Sequence, residues 1–319
     1  HPRVASGLVN ALMERVMQED SDPGLIDQAL EPLAAVEVAY GSDHPDSVQL
    51  RAQLGAAHAN FGDYDGAIEL LEPALTRAEQ AFGSNHGVVI SIKTNLAVCY
   101  RSTSRIDEAL TLLQDALTSA ESTFGAEHPV LSTIMVNIAT IYEEKENYQE
   151  VRRYLEMSLR SAEQTLGPDH VSHAERHRGI AKAMIELGEF ESAMSHLEQA
   201  IRIGDRGFPP GSWKHTRALQ TKGRLHLRRG EPTKAIPPLE HALGLLVSEG
   251  KEKEDSDFAD MTARVESALG EALWEAPVGE GRDRRRAHEL KRSAVKRFDA
   301  NATPSAAESV RTWLSEHPV

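Results

Sequence analysis

The chain has 319 residues, 40% of them hydrophobic and only 5% aromatic, and it carries a formal net charge of -14. That acidity argues against general attraction to nucleic acid or to anionic lipid. A single cysteine, Cys99, excludes an internal disulfide framework and a cysteine-rich zinc site; no apolar run reaches the roughly 18 residues of a membrane span.

Along the chain, one clause recurs. "AYGSDHPDSVQ", "AFGSNHGVVIS", "TFGAEHPVLST" and "TLGPDHVSHAE" place Gly41, Gly83, Gly125 and Gly167 at a constant interval of 42 residues. A fixed period of that size marks one supersecondary unit stacked along a line. Four columns of residues follow the period: Gly55, Ala97, Ala139, Ala181 and Gly223; Ala67, Ala109, Val151, Ala193 and Ala235; Leu71, Leu113, Leu155, Leu197 and Leu239; Ala74, Ala116, Ser158, Ala200 and Ala242. Small residues recur where helices approach closely and leucine where the contact needs volume, so each period reads as one antiparallel helix pair.

The first pair is expected over about residues 3–17 and 24–40, with "EDSDPG" as its turn. Four clear pairs follow, turning near Gly62, Ser104, Glu146 and Gly188, and a fifth runs over about 214–248 after "FPPGSWKH" replaces the recurring clause. Beyond it, "DFADMTARVESALGEALWEA" reads as an inner helix and "RDRRRAHELKRSAVKRF" as its partner, separated by the glycine-rich "APVGEGRDR". A last helix is begun by Thr303 with Pro304 at its first position. The predicted fold is all-α: an α-solenoid over residues 1–302 of about seven helix pairs, the last degenerate, then a capping helix over 303–319. Pro32, Pro73 and Pro238 fall within second helices, where a lost amide bond favours a bend.

The recurring clause reads as a joint. Its glycine accepts a left-handed helix terminus, and the preceding Tyr40, Phe82, Phe124 or Leu166 is expected to pin that terminus to the core. Three residues on come His44, His86, His128 and His170, with Pro45 and Pro129 suited to the first position of the next helix.

The columns, carried by "LGAAHANFGDYDGAIELLEPAL" and "LAVCYRSTSRIDEALTLLQDAL", resemble the tetratricopeptide repeat. The 42-residue period and the G-x-x-H-P joint resemble the long variant of kinesin light chains and of many bacterial multidomain proteins. The chain departs from the family where a bulky inner-helix residue, usually tryptophan, is replaced by Arg51, Lys93, Met135, His177 and Leu219. The C-terminal "RRAHELKRSAVKRFDANATPSAAESVRTWLSEHP" is similar to the ends of bacterial serine/threonine kinases that carry such repeats behind a catalytic domain. That likeness places any kinase domain upstream of His1, since this chain has no glycine-rich phosphate loop, H-R-D or D-F-G.

The resemblance implies a right-handed superhelix whose first helices line a groove for a peptide or a partner domain. Carried onto this sequence, the facing positions include Arg101 in an otherwise small and apolar early part, and Arg178, Lys182, Arg217, Arg224 and Arg228 in a basic late part. The expected ligand is a protein or peptide with an apolar segment followed by an acidic one. Asn95 and Asn137 match the family position that holds a peptide backbone, since an amide donates and accepts at once. Capping or helix bridging is the other reading for the asparagines, and solvation or salt bridges between repeats for the arginines.

His170, His173 and His177 share a helical face at offsets that suit a metal, but the first belongs to the joint column and the last to a packing column. No cofactor is expected, nor any catalytic arrangement, and Cys99 reads as a packed thiol. The segment from Arg282 to Arg297 has eight basic residues against Asp283 and Glu289: either a solvated face or a contact for self-assembly. The expected role is a non-catalytic interaction or sensor module of a larger bacterial signalling protein, working in the cytoplasm.

Overall fold

The structure is a computed structural model and describes residues 24–209, 212–249 and 256–318, together with Gly7, Leu8 and Ala11. Apart from Gly7, Leu8 and Ala11, the first helix of the first expected pair lies outside these residues, as do all but the last residue of "EDSDPG", most of "SEGKEKEDSD" and the centre of "FPPGSWKH". Every regular element among the described residues is an α-helix. They are α1 (Gly24–Tyr40), α2 (Pro45–Asn60), α3 (Tyr64–Phe82), α4 (Gly87–Ser102), α5 (Ile106–Phe124), α6 (Pro129–Glu144) and α7 (Tyr148–Leu166), then α8 (His173–Glu186), α9 (Phe190–Gly207), α10 (Trp213–Arg228), α11 (Pro232–Glu249), α12 (Ser256–Glu275), α13 (Arg284–Ala300) and α14 (Pro304–Glu316).

Packing divides the chain into two compact units, His1–Thr165 and Leu166–Val319. In the first, α2 pairs with α3 and α4 with α5, and each pair packs on the next; in the second, α8 pairs with α9, α10 with α11 and α12 with α13, and α14 packs on α13. First helices also touch their counterparts: α2 meets α4, α4 meets α6, α8 meets α10 and α10 meets α12. Among the described residues the second helices α3 and α5 do not pack side by side in this way, nor do α9 and α11. Within each unit the first helices therefore lie on the inside of the curve.

The four columns form the core. Ala67, Leu71, Ala74, Ala109, Leu113, Ala116, Ala193, Leu197, Ala235, Leu239 and Ala242 are all fully or almost fully buried. At the small positions packing is tightest where glycine stands: a Cβ on Gly55 would lie 2.6 Å from Leu71 Cγ, and one on Gly223 2.4 Å from Leu239 Cγ. Ser158 keeps the small-residue column polar but satisfied, since its hydroxyl donates to the Ser132 carbonyl at 3.0 Å and meets the Ser132 hydroxyl at 2.8 Å.

The turn inside each pair has a positive φ at Gly62, Ser104, Glu146, Gly188 and Gly230, again 42 residues apart. The joints differ. Gly83 and Gly125 have φ near 80° with ψ of 154° and 165°, which lies beyond the left-handed helical region in territory open essentially to glycine alone. After the glycine, the Nδ1 atoms of His44, His86 and His128 accept the backbone N–H of Asp46, Val88 and Val130, each at 3.3 Å. The histidine is the N-cap of the following helix.

The aromatic residue before the glycine does not enter the core as expected. Tyr40, Phe82 and Phe124 stack on His44, His86 and His128 at 5.0, 4.7 and 4.5 Å, and Tyr40 and Phe124 stay more than a third exposed. A ring stacked on the capping imidazole fixes its plane, so it serves the cap instead of the core.

Candidate functional site

The departure from the bulky inner-helix position decides how successive helices are tied. Lys93 is only 3% exposed and bridges two helices, donating to Asp115 of α5 at 2.6 Å and lying 2.9 Å from Glu79 of α3. Its two carboxylates hold its pKa above the ordinary lysine value against the opposing effect of burial. Arg51 reaches Glu37 of α1 at 2.9 Å. His177 Nδ1 meets His196 Nδ1 at 2.9 Å, and burial, reinforced by the charges of His196, His173 and Arg202, pushes its pKa down to about 4. Met135 and Leu219 are buried. Three of the five positions in this column, Arg51, Lys93 and His177, therefore tie helices together, and the other two fill the core.

The histidines considered for a metal have separate partners. His170 Nδ1 meets the Ser172 hydroxyl at 2.8 Å, His173 Nε2 meets the Gly167 carbonyl at 2.8 Å, and His177 is held by His196. Among the described residues, no group of three or more His, Cys, Asp or Glu is arranged to hold a metal ion. Cys99 is buried and its thiol is pushed up to about 11 by desolvation, which suits packing and not nucleophilic attack.

In the first unit, Asn95 of α4 and Asn137 of α6 occupy equivalent places on neighbouring first helices, both half-buried. Neither amide has a hydrogen-bond partner among the described residues, so capping and helix bridging do not account for them. Arg101 donates to Glu144 of α6 at 2.7 Å. A hollow of about 530 Å3 between α3, α4 and α5 includes Glu72, Leu96, Tyr100 and Asp107. Its polar groups are already matched: Tyr100 donates to Glu72 at 2.7 Å, Arg105 lies over the Tyr100 ring and bonds Glu72 and Glu108, and Lys145 bonds Asp107.

In the second unit the basic positions separate. Arg178 of α8 is clamped by Glu175 one turn before it, and Arg217 of α10 reaches the same carboxylate at 3.2 Å. Lys182 is half-buried on α8. Arg228 of α10 pairs with Glu186 of α8, 42 residues earlier, at 3.0 Å. Arg101, Arg217 and Arg228 thus bridge successive repeats. Arg224 is exposed and has no ion-pair partner among the described residues.

Arg224 and Arg228 line a cleft of about 370 Å3 with Gln220 and Leu227. Arg264, Ser267, Ala268 and Glu271 of α12 form its second side, and Phe298, Ala306, Ser309 and Val310 close it from α13 and α14. Arg264 and the α14 wall were not anticipated from the columns. The reason is a register shift: Gly270 contacts Lys291 as Gly223 contacts Leu239, yet it stands 47 residues after Gly223 instead of 42. With that shift, Arg264 occupies the Arg217 position and Ser267 the Gln220 position.

The basic segment spends many of its charges internally. Arg286 forms a two-pronged bond with Glu240, Arg297 lies 3.3 Å from Glu266, Arg284 sits over the Trp274 ring and Lys291 is buried. That leaves few cations for head-to-tail self-assembly.

The stacked pairs, small-residue columns and inward first helices define a repeat architecture, and the sequence fits a known one: the tetratricopeptide-repeat family model matches residues 48–122, 88–164 and 130–205. Residues 48–205 are tetratricopeptide repeats. The structure of a Podospora anserina protein described as a kinesin light chain with nearly identical repeats is similar, with a TM-score of 0.58 and 22% identity over 66% of this chain and 99% of that one. BtubC from P. vanneervenii has a TM-score of 0.62 and 17% identity, covering 77% of this chain and 94% of its own. The apo form of the quorum sensor NprR from B. thuringiensis has a TM-score of 0.59 and 14% identity, covering 99% and 87%. At such identities the likeness is one of fold. No curated protein matches the chain, and no helix of the described residues is long and apolar enough to cross a membrane.

Proposed function

We propose that these repeats form a non-catalytic interaction and sensor module that holds a protein or peptide segment against its first helices. The observation that carries this is the pair Asn95 and Asn137: two half-buried amides, one period apart on adjacent first helices, whose donors and acceptors are unspent within the described residues. An extended peptide backbone satisfies both functions of each amide, and burying them without a partner would be costly. The fold shared with a quorum sensor supports a sensory role.

The module belongs to a larger bacterial signalling protein of the cytoplasm, such as a serine/threonine kinase. Support comes from the C-terminal stretch over residues 285–318, whose sequence resembles the ends of such kinases, and the coding sequence upstream of His1 tests it. For the binding role, the test is affinity capture from the source cell followed by titration of the purified partner. The double variant Asn95→Ala, Asn137→Ala is expected to weaken that partner by about tenfold. Unchanged affinity would reject the first-helix face as the recognition surface.

A further inference from the structure

The hollow between α3 and α5 has a counterpart one period later that the chain fills with its own side chains. Leu96 and Tyr100 of α4 form its floor, with Leu75 and Thr76 of α3 on one side and Thr111 and Leu112 of α5 on the other. The equivalent positions 42 residues on are Ile138 and Tyr142 of α6, Leu117 and Thr118 of α5, and Arg153 and Tyr154 of α7. The largest change is thus Thr111-Leu112 against Arg153-Tyr154.

In the later pair the Tyr154 ring is 6% exposed and stacks on Tyr142, with 5.7 Å between centroids and 15° between planes. The Arg153 guanidinium lies 4.6 Å from the centre of the Tyr154 ring. Its Nε is 3.0 Å from Glu150, which occupies the position of Glu108. Leu117 is buried there, whereas its counterpart Leu75 is only half-buried. In the earlier pair Leu112 stands where the ring would begin, and about 530 Å3 remains open beside Tyr100. That volume falls within the range of about 300–1,000 Å3 that small-molecule sites occupy.

The rim favours a cation. Glu72, Asp107 and Glu108 line the hollow and outnumber Arg105 and Lys145, the cations bonded to them. An ionised carboxylate offers about four lone-pair sites, so each can take a further donor. Burial, reinforced by Glu72, pushes the Tyr100 pKa up to about 12, and its hydroxyl is spent on Glu72. Tyr100 therefore presents its ring to the hollow as an apolar surface.

We propose that the hollow between α3 and α5 binds a small molecule that joins an aromatic ring to a cation. The ring stacks on Tyr100 as Tyr154 stacks on Tyr142, and the cation meets Glu108 as Arg153 meets Glu150. Leu112 is the residue that leaves the space open. The site opens between second helices and does not depend on the role proposed above for the first helices.

Tyramine, a phenol that carries an ammonium group, is the probe, titrated into the purified chain and followed by ligand-detected NMR. The expected result is saturable binding with a Kd of about 1 mM or tighter. Hydroxyphenylacetate keeps the ring and reverses the charge, while butylamine keeps the charge and lacks the ring. Each should bind at least about tenfold more weakly than tyramine. Glu108→Gln should weaken tyramine by about threefold, the size of one exposed charge contact. Leu112→Tyr installs the ring of the later pair, so it should abolish tyramine binding while the unfolding temperature is unchanged or raised. The converse variant Tyr154→Leu should create a second tyramine site between α5 and α7. No saturable binding, equal affinity for either analogue, or unaltered tyramine binding in a folded Leu112→Tyr chain would overturn the proposal. If the chain proves to be a dimer that Leu112→Tyr converts to a monomer, a second copy covers the hollow and the small-molecule assignment falls.

Discussion

Gly83 and Gly125 combine a positive φ with ψ of 154° and 165°, a backbone region where a side chain is strained by about 1–3 kcal/mol. The turn column tolerates Ser104 and Glu146 at φ of 65° and 54°, as expected of a region that L-residues visit at a cost of about 1–2 kcal/mol. Urea denaturation should therefore show opposite signs for two sets of substitutions. Gly83→Ala and Gly83→Asn should both destabilise, with asparagine giving no rescue, while Ser104→Gly and Glu146→Gly should be neutral or stabilising. A Gly83→Asn variant as stable as the unaltered chain would contradict this assignment. The need for glycine at the joint was legible from its recurrence. The backbone region it occupies was not, because the sequence spacing is compatible with an ordinary left-handed terminus.

The helices are held by their ends and by ties between neighbours. A histidine N-cap was missed in the sequence because imidazole is an uncommon cap and the spacing alone does not show which ring nitrogen faces the backbone. The signal was present: an aromatic residue four before each of His44, His86 and His128 is the ring that stacks on it. The tie between α8 and α9 carries a pH dependence. Folded His177 has its pKa near 4, against about 6.5 in an unfolded chain. Between those values the unfolded state binds more protons, so stability falls as pH drops from about 6.5 to 4, by up to about 2–3 kcal/mol for this group. His177→Met, which places the residue of the equivalent Met135 position there, should flatten the stability profile in that window. An unchanged slope would mean that His177 is accessible to protons in the folded chain.

At the scale of the molecule, five periods of columns made the helix order, pair turns and core readable before any coordinates. The reading weakened beyond residue 250, where the register slips by five residues, and so Arg264, Ser267 and the α14 wall escaped it. The expected basic face was legible as a composition but not as chemistry. Arg101, Arg217 and Arg228 are engaged by Glu144, Glu175 and Glu186 of neighbouring repeats and Arg264 by Asp260, which leaves Arg224 as the cation of the cleft without an ion-pair partner among the described residues. Burial of Lys291 could be seen only once its column was aligned with the leucines.

Recognition on the first helices of each unit is tested by hydrogen–deuterium exchange of the chain with and without its captured partner. The expected result is slowed exchange in α4, α6, α10 and α12 and no change in α3, α5 and α11. Protection confined to the second helices, with the first helices unaffected, would contradict it.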